Sequence, residues 1–233
     1  MRLEAHHISK AYQTGWMRRT PRPVLQDVDL SLDRGETVGV VGKSGAGKTT
    51  LGCILTGILR PDSGMLRYEG ADFWTAEPAA RKEMGRKLQM VLQHPESAFN
   101  PRWSMRESLA EPFRLRGAEP TPDVLAATLA EVGIAPTALQ RRPHQMSGGE
   151  LQRLAIARVM ALKPAVVVLD EPTGMLDALT QAAIMNLLKR IQERSGVSYI
   201  LISHDPVLVH RFSRHVYRLE NGRLSSEAPL PPR

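Results

Sequence analysis

The chain has 233 residues, 42% of them hydrophobic, and 31 lysines and arginines against 24 aspartates and glutamates give it a formal net charge of +7. That apolar content supports a large core, the single cysteine, Cys53, excludes an internal disulfide and fits a reducing compartment, and no run approaches the roughly 20 apolar residues of a spanning helix. Met1–His7 lacks the apolar centre of a signal peptide, so a soluble, cytoplasmic protein able to sit on a membrane complex is expected. The basic balance suits nucleotides, nucleic acid or an anionic membrane face equally.

In chain order, Leu3 to Ile8 reads as a strand. The basic, Pro-containing stretch Trp16 to Pro23 reads as a loop. Val24 to Leu32 alternates as a half-buried strand should, and Asp33-Arg34-Gly35 turns the chain into an apolar strand, Glu36 to Val41. A helix is expected over Thr49 to Leu59, a turn at Pro61 to Gly64, a strand at Met65 to Tyr68 and a loop at Glu69 to Asp72. Leu88 to Leu92 is a further strand. Beyond it the pattern turns helical and polar to about Gln145, with helices at Ser104 to Leu115 and Pro122 to Val132, the second capped by Thr121. A helix from Glu150 to Leu162 follows, then the apolar strand Ala165 to Leu169, a helix from Ala178 to Arg194 and the buried strand Val197 to Ile202. Asp205-Pro206 opens a short helix, and Val216 to Leu224 forms a hairpin turning at Asn221-Gly222. Glu227 to Arg233 is a Pro-rich tail. Alternating strands and helices predict an α/β fold with a mostly parallel sheet and a ligand beyond its carboxyl ends.

Chemistry concentrates where the strands end. Gly42-x-x-x-x-Gly47-Lys48-Thr49 lies between a strand and a helix, the context that makes it a phosphate-binding loop. The backbone N–H groups from Ser44, Gly45 and Ala46 on to Thr50 can converge on phosphates, Lys48 supplies a charge for the β- and γ-phosphates, and the Thr49 hydroxyl can ligate Mg²⁺. Val166 to Leu169 ends in Asp170-Glu171: Asp170 can hold Mg²⁺ through water, and Glu171 can polarise a water for attack on the γ-phosphate. Ser147-Gly148-Gly149-Glu150 opens a helix, and it reads both as an anion seat and as a plain capping box. His204 follows a core strand and can reach a γ-phosphate. Tyr12 can stack on a base. The remaining histidines show no metal-ligand spacing, and Cys53 reads as a small buried apolar residue.

The ordered set resembles the ATP-binding subunit of an ABC transporter over nearly the whole chain. Gly42 to Thr49 matches Walker A, Gln93 the Q-loop, Met146-Ser147-Gly148-Gly149-Glu150 the Leu-Ser-Gly-Gly-Gln signature, and Val166 to Glu171 Walker B. Gly174-Met175-Leu176-Asp177 matches the D-loop, His204 the switch histidine and Tyr12 the adenine-stacking A-loop. The signature departs from the family at Met146 and Glu150. Gln93-His94-Pro95-Glu96-Ser97-Ala98-Phe99-Asn100-Pro101-Arg102 is similar to a segment of the oligopeptide/dipeptide/nickel import branch, with His94 in place of its Asp. The chain ends soon after the hairpin, without the long extension of many peptide-importer ATPases, which favours the nickel or metallophore importers.

The resemblance implies a P-loop NTPase core with a mostly parallel sheet, an N-terminal antiparallel β subdomain and a helical subdomain inserted at about 94–160 of a single domain. It implies ATP and Mg²⁺, with Thr49, Gln93 and Asp170 at the metal, and catalysis by Glu171, His204, Lys48 and Gln93. Ser147, Gly149 and Asp177 would serve a nucleotide held by a second ATPase subunit, a sister chain or a copy of this one, packed head to tail. The remaining partners are two integral membrane permease subunits and, indirectly, an extracytoplasmic solute-binding protein, with no nucleic acid. By the same resemblance, the place of work would be the cytoplasmic face of the bacterial inner membrane and the task uptake of a small solute. The alternative is an ABC-type ATPase acting on nucleic acid or ribosomes without a membrane partner.

Overall fold

The computed structural model describes residues 2–14, 20–174 and 176–227. They divide into two compact units. One is built from the chain up to Met90, Ala165–Glu171 and the stretch from Gly196 onward; the other is built from Val91–Pro164 and Pro172–Ser195. The first holds β1 (Arg2–Thr14), β2 (Thr20–Asp33), β3 (Thr37–Val41), α1 (Lys48–Leu55), β4 (Ser63–Tyr68), β5 (Ala71–Asp72), α2 (Pro78–Lys87) and most of β6 (Leu88–Val91). The second holds α3 (Met105–Leu115), α4 (Pro122–Glu131), α5 (Gly148–Met160) and α6 (Ala178–Ser195). Between these in the chain lies β7 (Val166–Asp170), and β8 (Ser198–Ser203), α7 (Pro206–Phe212), β9 (His215–Glu220) and β10 (Arg223–Glu227) complete the first unit.

The first unit carries two sheets. An antiparallel one has the order β2-β1-β4-β5; a six-stranded one has the order β10-β9-β3-β8-β7-β6. In the second, β3 runs parallel to both β8 and β9, β7 parallel to β8, and β9–β10 is an antiparallel hairpin. The two architectures follow from two sequence patterns. β2 buries Leu25, Val28, Leu30 and Leu32 and exposes Asp29, Ser31 and Asp33, as a one-sided sheet requires. β7 and β8 are buried at every position, as interior parallel strands covered on both faces must be. Leu51, Ile54 and Leu55 of α1 join Leu3, Ile8, Leu30, Val38, Val168 and Ile200 in one core. Each such fully buried side chain contributes about 1.5–3 kcal/mol relative to exposure. Gly39 lets α7 lie directly on β3, since a Cβ there would fall 2.1 Å from Val209 Cγ1.

Several boundaries differ from the sequence-based expectation. The helix expected to reach Leu59 stops at Leu55. Gly57, at φ 71°, donates its N–H to the Ile54 carbonyl, and Ile58 donates to Cys53, a Schellman ending. Of the expected loop 16–23, residues 16–19 lie outside the described set, and Thr20–Pro23 are strand. They pair with β1 as far as Thr14↔Thr20. Prolines are tolerated there because β2 is an edge strand. Helix α2 was not expected: only Met84 of its ten residues is buried, so its sequence has almost no apolar period. Residues 69–72, expected as a loop, include the two-residue strand β5. Helix α5 starts at Gly148, two residues before its expected start. Of the expected tail, Glu227 ends β10 and the rest lies outside the described residues.

In the second unit, Ser104 caps α3 and Thr121 caps α4, each by accepting a backbone N–H from the first turn. Arg158 of α5 donates to the Glu111 carboxylate of α3 and to the Ala98 carbonyl.

Candidate active site

Parallel register brings three strand ends to one edge. Val41 pairs with Ser203 and Asp170 with Ile202, so the residues that follow β3, β7 and β8 emerge together. After β3 the chain turns through Gly42, where a Cβ would lie 2.6 Å from the Leu219 carbonyl oxygen. It curls back at Gly45 (φ 77°) and Gly47 (φ 102°) before α1 begins. A side chain at Gly47 would meet Val24 Cγ1 at 2.8 Å. Ser44 and Gly45 are exposed and Ala46, Gly47 and Thr50 half-buried, which leaves the outer curve of the loop open.

Lys48 is only 7% exposed. Its ammonium donates to the Gly42 carbonyl at 2.8 Å and the Lys43 carbonyl at 3.1 Å, and lies 3.8 Å from Glu171 Oε1. The Thr49 hydroxyl donates to Asp170 Oδ2 at 2.7 Å. Asp170 is buried, and its other oxygen, Oδ1, has no hydrogen-bond partner. Burial pushes the Asp170 carboxyl above its ordinary range; the Thr49 hydrogen bond opposes this, the Glu171 charge adds to it and Lys48 opposes it. Glu171 stands at φ 48°, a conformation uncommon for a residue with a side chain, with its N–H donated to the Ile202 carbonyl. Its Oε2 is 2.9 Å from His204 Nδ1 and accepts from the Ser203 hydroxyl at 3.3 Å. Thus Lys48, Thr49, Asp170, Glu171 and His204 meet in one site. Ser203 joins them without having been expected; its signal was a polar residue closing an apolar strand immediately before His204.

Tyr12, 43% exposed, stands on β1 opposite Arg22, two residues along β2 from the Val24 that packs on Gly47.

The remaining expected residues lie in the second unit. Ser147 caps α5 as a complete box. Its hydroxyl accepts from the Glu150 N–H at 3.3 Å, while the Glu150 carboxylate accepts from the Ser147 N–H and hydroxyl, both at 2.9 Å. The bond from the Ser147 N–H, more than any other influence, holds the Glu150 carboxyl below its usual range. Gly149 brings α5 against α6, since a Cβ would lie 2.9 Å from Thr180 Cγ2. Asp177 caps α6, accepting from the N–H groups of Leu179 and Thr180 and from the Thr180 hydroxyl. Its neighbour Met175 lies outside the described residues. Gln93 is exposed, next to a His94 whose Nδ1 is 3.2 Å from Glu96 Oε1. Among the described residues no helix is long and apolar enough to cross a membrane.

The chain is similar to known proteins through most of its length. A family model described as ABC transporter matches residues 25–174. The nickel import ATP-binding protein NikE of Pseudomonas putida is 39% identical over 98% of this chain and 85% of its own length. The probable D,D-dipeptide transport ATP-binding protein DdpF of Escherichia coli K12 is 40% identical over 94% of this chain and 68% of its own. Among solved structures, the dimeric post-hydrolysis state of the ATP-binding cassette MJ0796, bound to ADP and Pi, superposes with a TM-score of 0.84. It is 26% identical, over 98% of this chain and 99% of that one. The matched segment holds the phosphate loop, the Ser147 cap and the paired carboxylates, and the importer relatives agree with the finer resemblance around Gln93. This chain belongs to the ABC transporter family, as an ATP-binding cassette that hydrolyses ATP.

Proposed function

We propose that the chain powers import of a small solute, a nickel ion, a metal chelate or a peptide, from the cytoplasmic face of a bacterial inner membrane. It would work peripherally on two integral permease subunits supplied by an extracytoplasmic solute-binding protein. A second ATPase subunit, a sister chain or another copy, would pack against it head to tail. The nickel-import relative supports the import direction, and together with the D,D-dipeptide transport relative it supports nickel and a peptide as solutes. The observation that carries the hydrolytic role is the Glu171 carboxylate, held by His204 and Ser203 beside Lys48 and Asp170.

On this reading Lys48 exchanges the Gly42 and Lys43 carbonyls for β- and γ-phosphate oxygens. The Gly42 turn and the N–H groups from Ser44 to Thr50 cradle the phosphates, and Tyr12 stacks on the base. Glu171 polarises the attacking water, and His204 orients Glu171 and stabilises the γ-phosphate. Ser147, Gly149 and Asp177 serve the nucleotide of the opposite ATPase subunit. The helical subdomain, inserted at about 94–160, grips the membrane subunit, with Gln93 linking it to the site.

The residues present fit Mg²⁺. The Thr49 hydroxyl gives its proton to Asp170 and so keeps its lone pairs for a cation, and the buried Asp170 Oδ1 is an oxygen still lacking a partner. Thr49 and Asp170 would hold the ion. When bound, it supplies neutralising charge to the phosphates.

The test uses the transporter assembled in vesicles. Glu171→Gln keeps ATP binding and lowers both ATP hydrolysis and solute uptake by about 10²–10⁴-fold. Uptake at the parent rate in that variant would remove Glu171 from its role. Hydrolysis that never responds to permeases or solute-binding protein would remove the importer.

A further inference from the structure

β1 and β2 pair as Ala5↔Leu30, resume at Ile8↔Val28, and then at Lys10↔Leu25. The first interval sets His6 and His7 against Asp29 alone. The second sets Ser9 against Gln26 and Asp27. Two bulges of opposite sense therefore lie back to back. Their central residues, His7 and Asp27, stand at φ 54° and 55°, although neither is glycine.

The bulges gather side chains that a regular strand would separate, because successive residues of an unbroken strand face opposite ways. His6 Nδ1 lies 3.7 Å from Asp29 Oδ1. His7 Nδ1 lies 2.8 Å from Asp27 Oδ1 and 4.0 Å from Asp29 Oδ2. The ligand atoms of His7, Asp27 and Asp29 all fall within 4.8 Å of one another. Backbone groups hold the arrangement: the His7 N–H donates to Asp29 Oδ1 at 3.0 Å, and the Asp27 N–H donates to Ser9 Oγ at 3.1 Å.

Metal–ligand bonds of about 2.1 Å set neighbouring ligand atoms about 3.4 Å apart in a tetrahedral shell. The 2.8 and 4.0 Å from His7 Nδ1 to the two aspartates straddle that spacing. An imidazole with two carboxylates suits late first-row divalent ions better than Mg²⁺ and Ca²⁺, which take all-oxygen shells. The geometry points to a second cation site, built from His7, Asp27 and Asp29 on the antiparallel sheet, that takes a divalent ion of the Zn²⁺ or Ni²⁺ class without using the nucleotide-binding residues. His7 is 74% exposed and the two aspartates more than half exposed, so the ion enters without unfolding the sheet.

The full chain, stripped with chelator and free of nucleotide, is titrated with Zn²⁺ by calorimetry and followed by the histidine ring signals in NMR. One equivalent binds and shifts the His7 ring. Asp27→Asn and Asp29→Asn each weaken binding at least about tenfold with an unchanged circular dichroism spectrum, while Asp170→Asn leaves it intact. No binding to the parent, equal binding in both ligand variants, or loss of binding in Asp170→Asn would overturn the site.

Discussion

Ser147 has one hydroxyl and two possible employments, and the structure lets them be separated. In its cap the hydroxyl accepts from the Glu150 N–H at 3.3 Å and donates to the Glu150 carboxylate at 2.9 Å, while the Ser147 N–H makes its own 2.9 Å bond to that carboxylate. Ser147→Ala deletes the first two and keeps the third. Its cost should be near that of an ordinary lost cap, about 1 kcal/mol. For a chain of this size that lowers Tm by about 2–4 °C. Ser147→Asn restores an acceptor oxygen at the cap, so its Tm should fall within about 1 °C of the parent. If the hydroxyl also meets the phosphate of the opposite subunit, the bulkier Asn should cut steady-state ATP hydrolysis by the assembled transporter about 10²-fold or more, as losing one transition-state donor does. Binding of nucleotide to the variant chain's own phosphate loop should persist. Calorimetric melting and steady-state hydrolysis are the two measurements. Ser147→Asn with unchanged Tm and normal turnover would leave Ser147 as a helix cap alone.

Asp170→Asn should raise Tm at pH 7.5 by a few degrees. The folded carboxyl is shifted above its unfolded value, so the folded state binds more protons and parent stability declines as pH rises through that window. The advantage of the variant should shrink towards acid pH, and a variant less stable than the parent at pH 7.5 would refute this. Gly39→Ala places a Cβ 2.1 Å from Val209 Cγ1 and 2.8 Å from Ser213 Oγ; it should cost about 1–3 kcal/mol by forcing α7 off β3, and an unchanged denaturant midpoint would contradict that packing. Tyr12→Ala should weaken ATP and ADP binding alike, since stacking senses only the base, and unchanged affinities for both would take Tyr12 out of the site.

That Lys48, Thr49, Asp170, Glu171 and His204 would meet was legible because they sit where strands end, and sequence shows strand ends well. Its wiring was not. That Glu171 meets His204 depends on β7 lying beside β8, and that Lys48 folds onto the Gly42 carbonyl depends on how tightly the loop closes. The same limit explains the boundaries. Apolar period predicted a helix to Leu59, while a single residue, Gly57, reversed the chain. Helix α2 buries one side chain and so left no period to read. The bulges did leave a trace: the inward residues run Leu3, Ala5, Ile8 on β1 and Leu25, Val28, Leu30 on β2, each with one gap of three instead of two. The cap at Ser147 was visible as a pattern. The pattern alone could not separate a cap from an anion seat, because both use the same groups.

The outer edge of the antiparallel sheet has a consequence for the protein's solubility. β2 is a 14-residue strand with a free flank, the kind of surface on which a foreign strand can grow. Pro21 and Pro23 offer no N–H there, and the kink at Asp27 breaks the flatness that an incoming strand needs. Between them, the N–H of Gln26 is already taken by the Gly222 carbonyl at 2.7 Å, and its side-chain amide by Asn221. The tip of the β9–β10 hairpin therefore serves as a stopper. It leaves no long uninterrupted run of donors and acceptors on β2 for sheet-to-sheet aggregation.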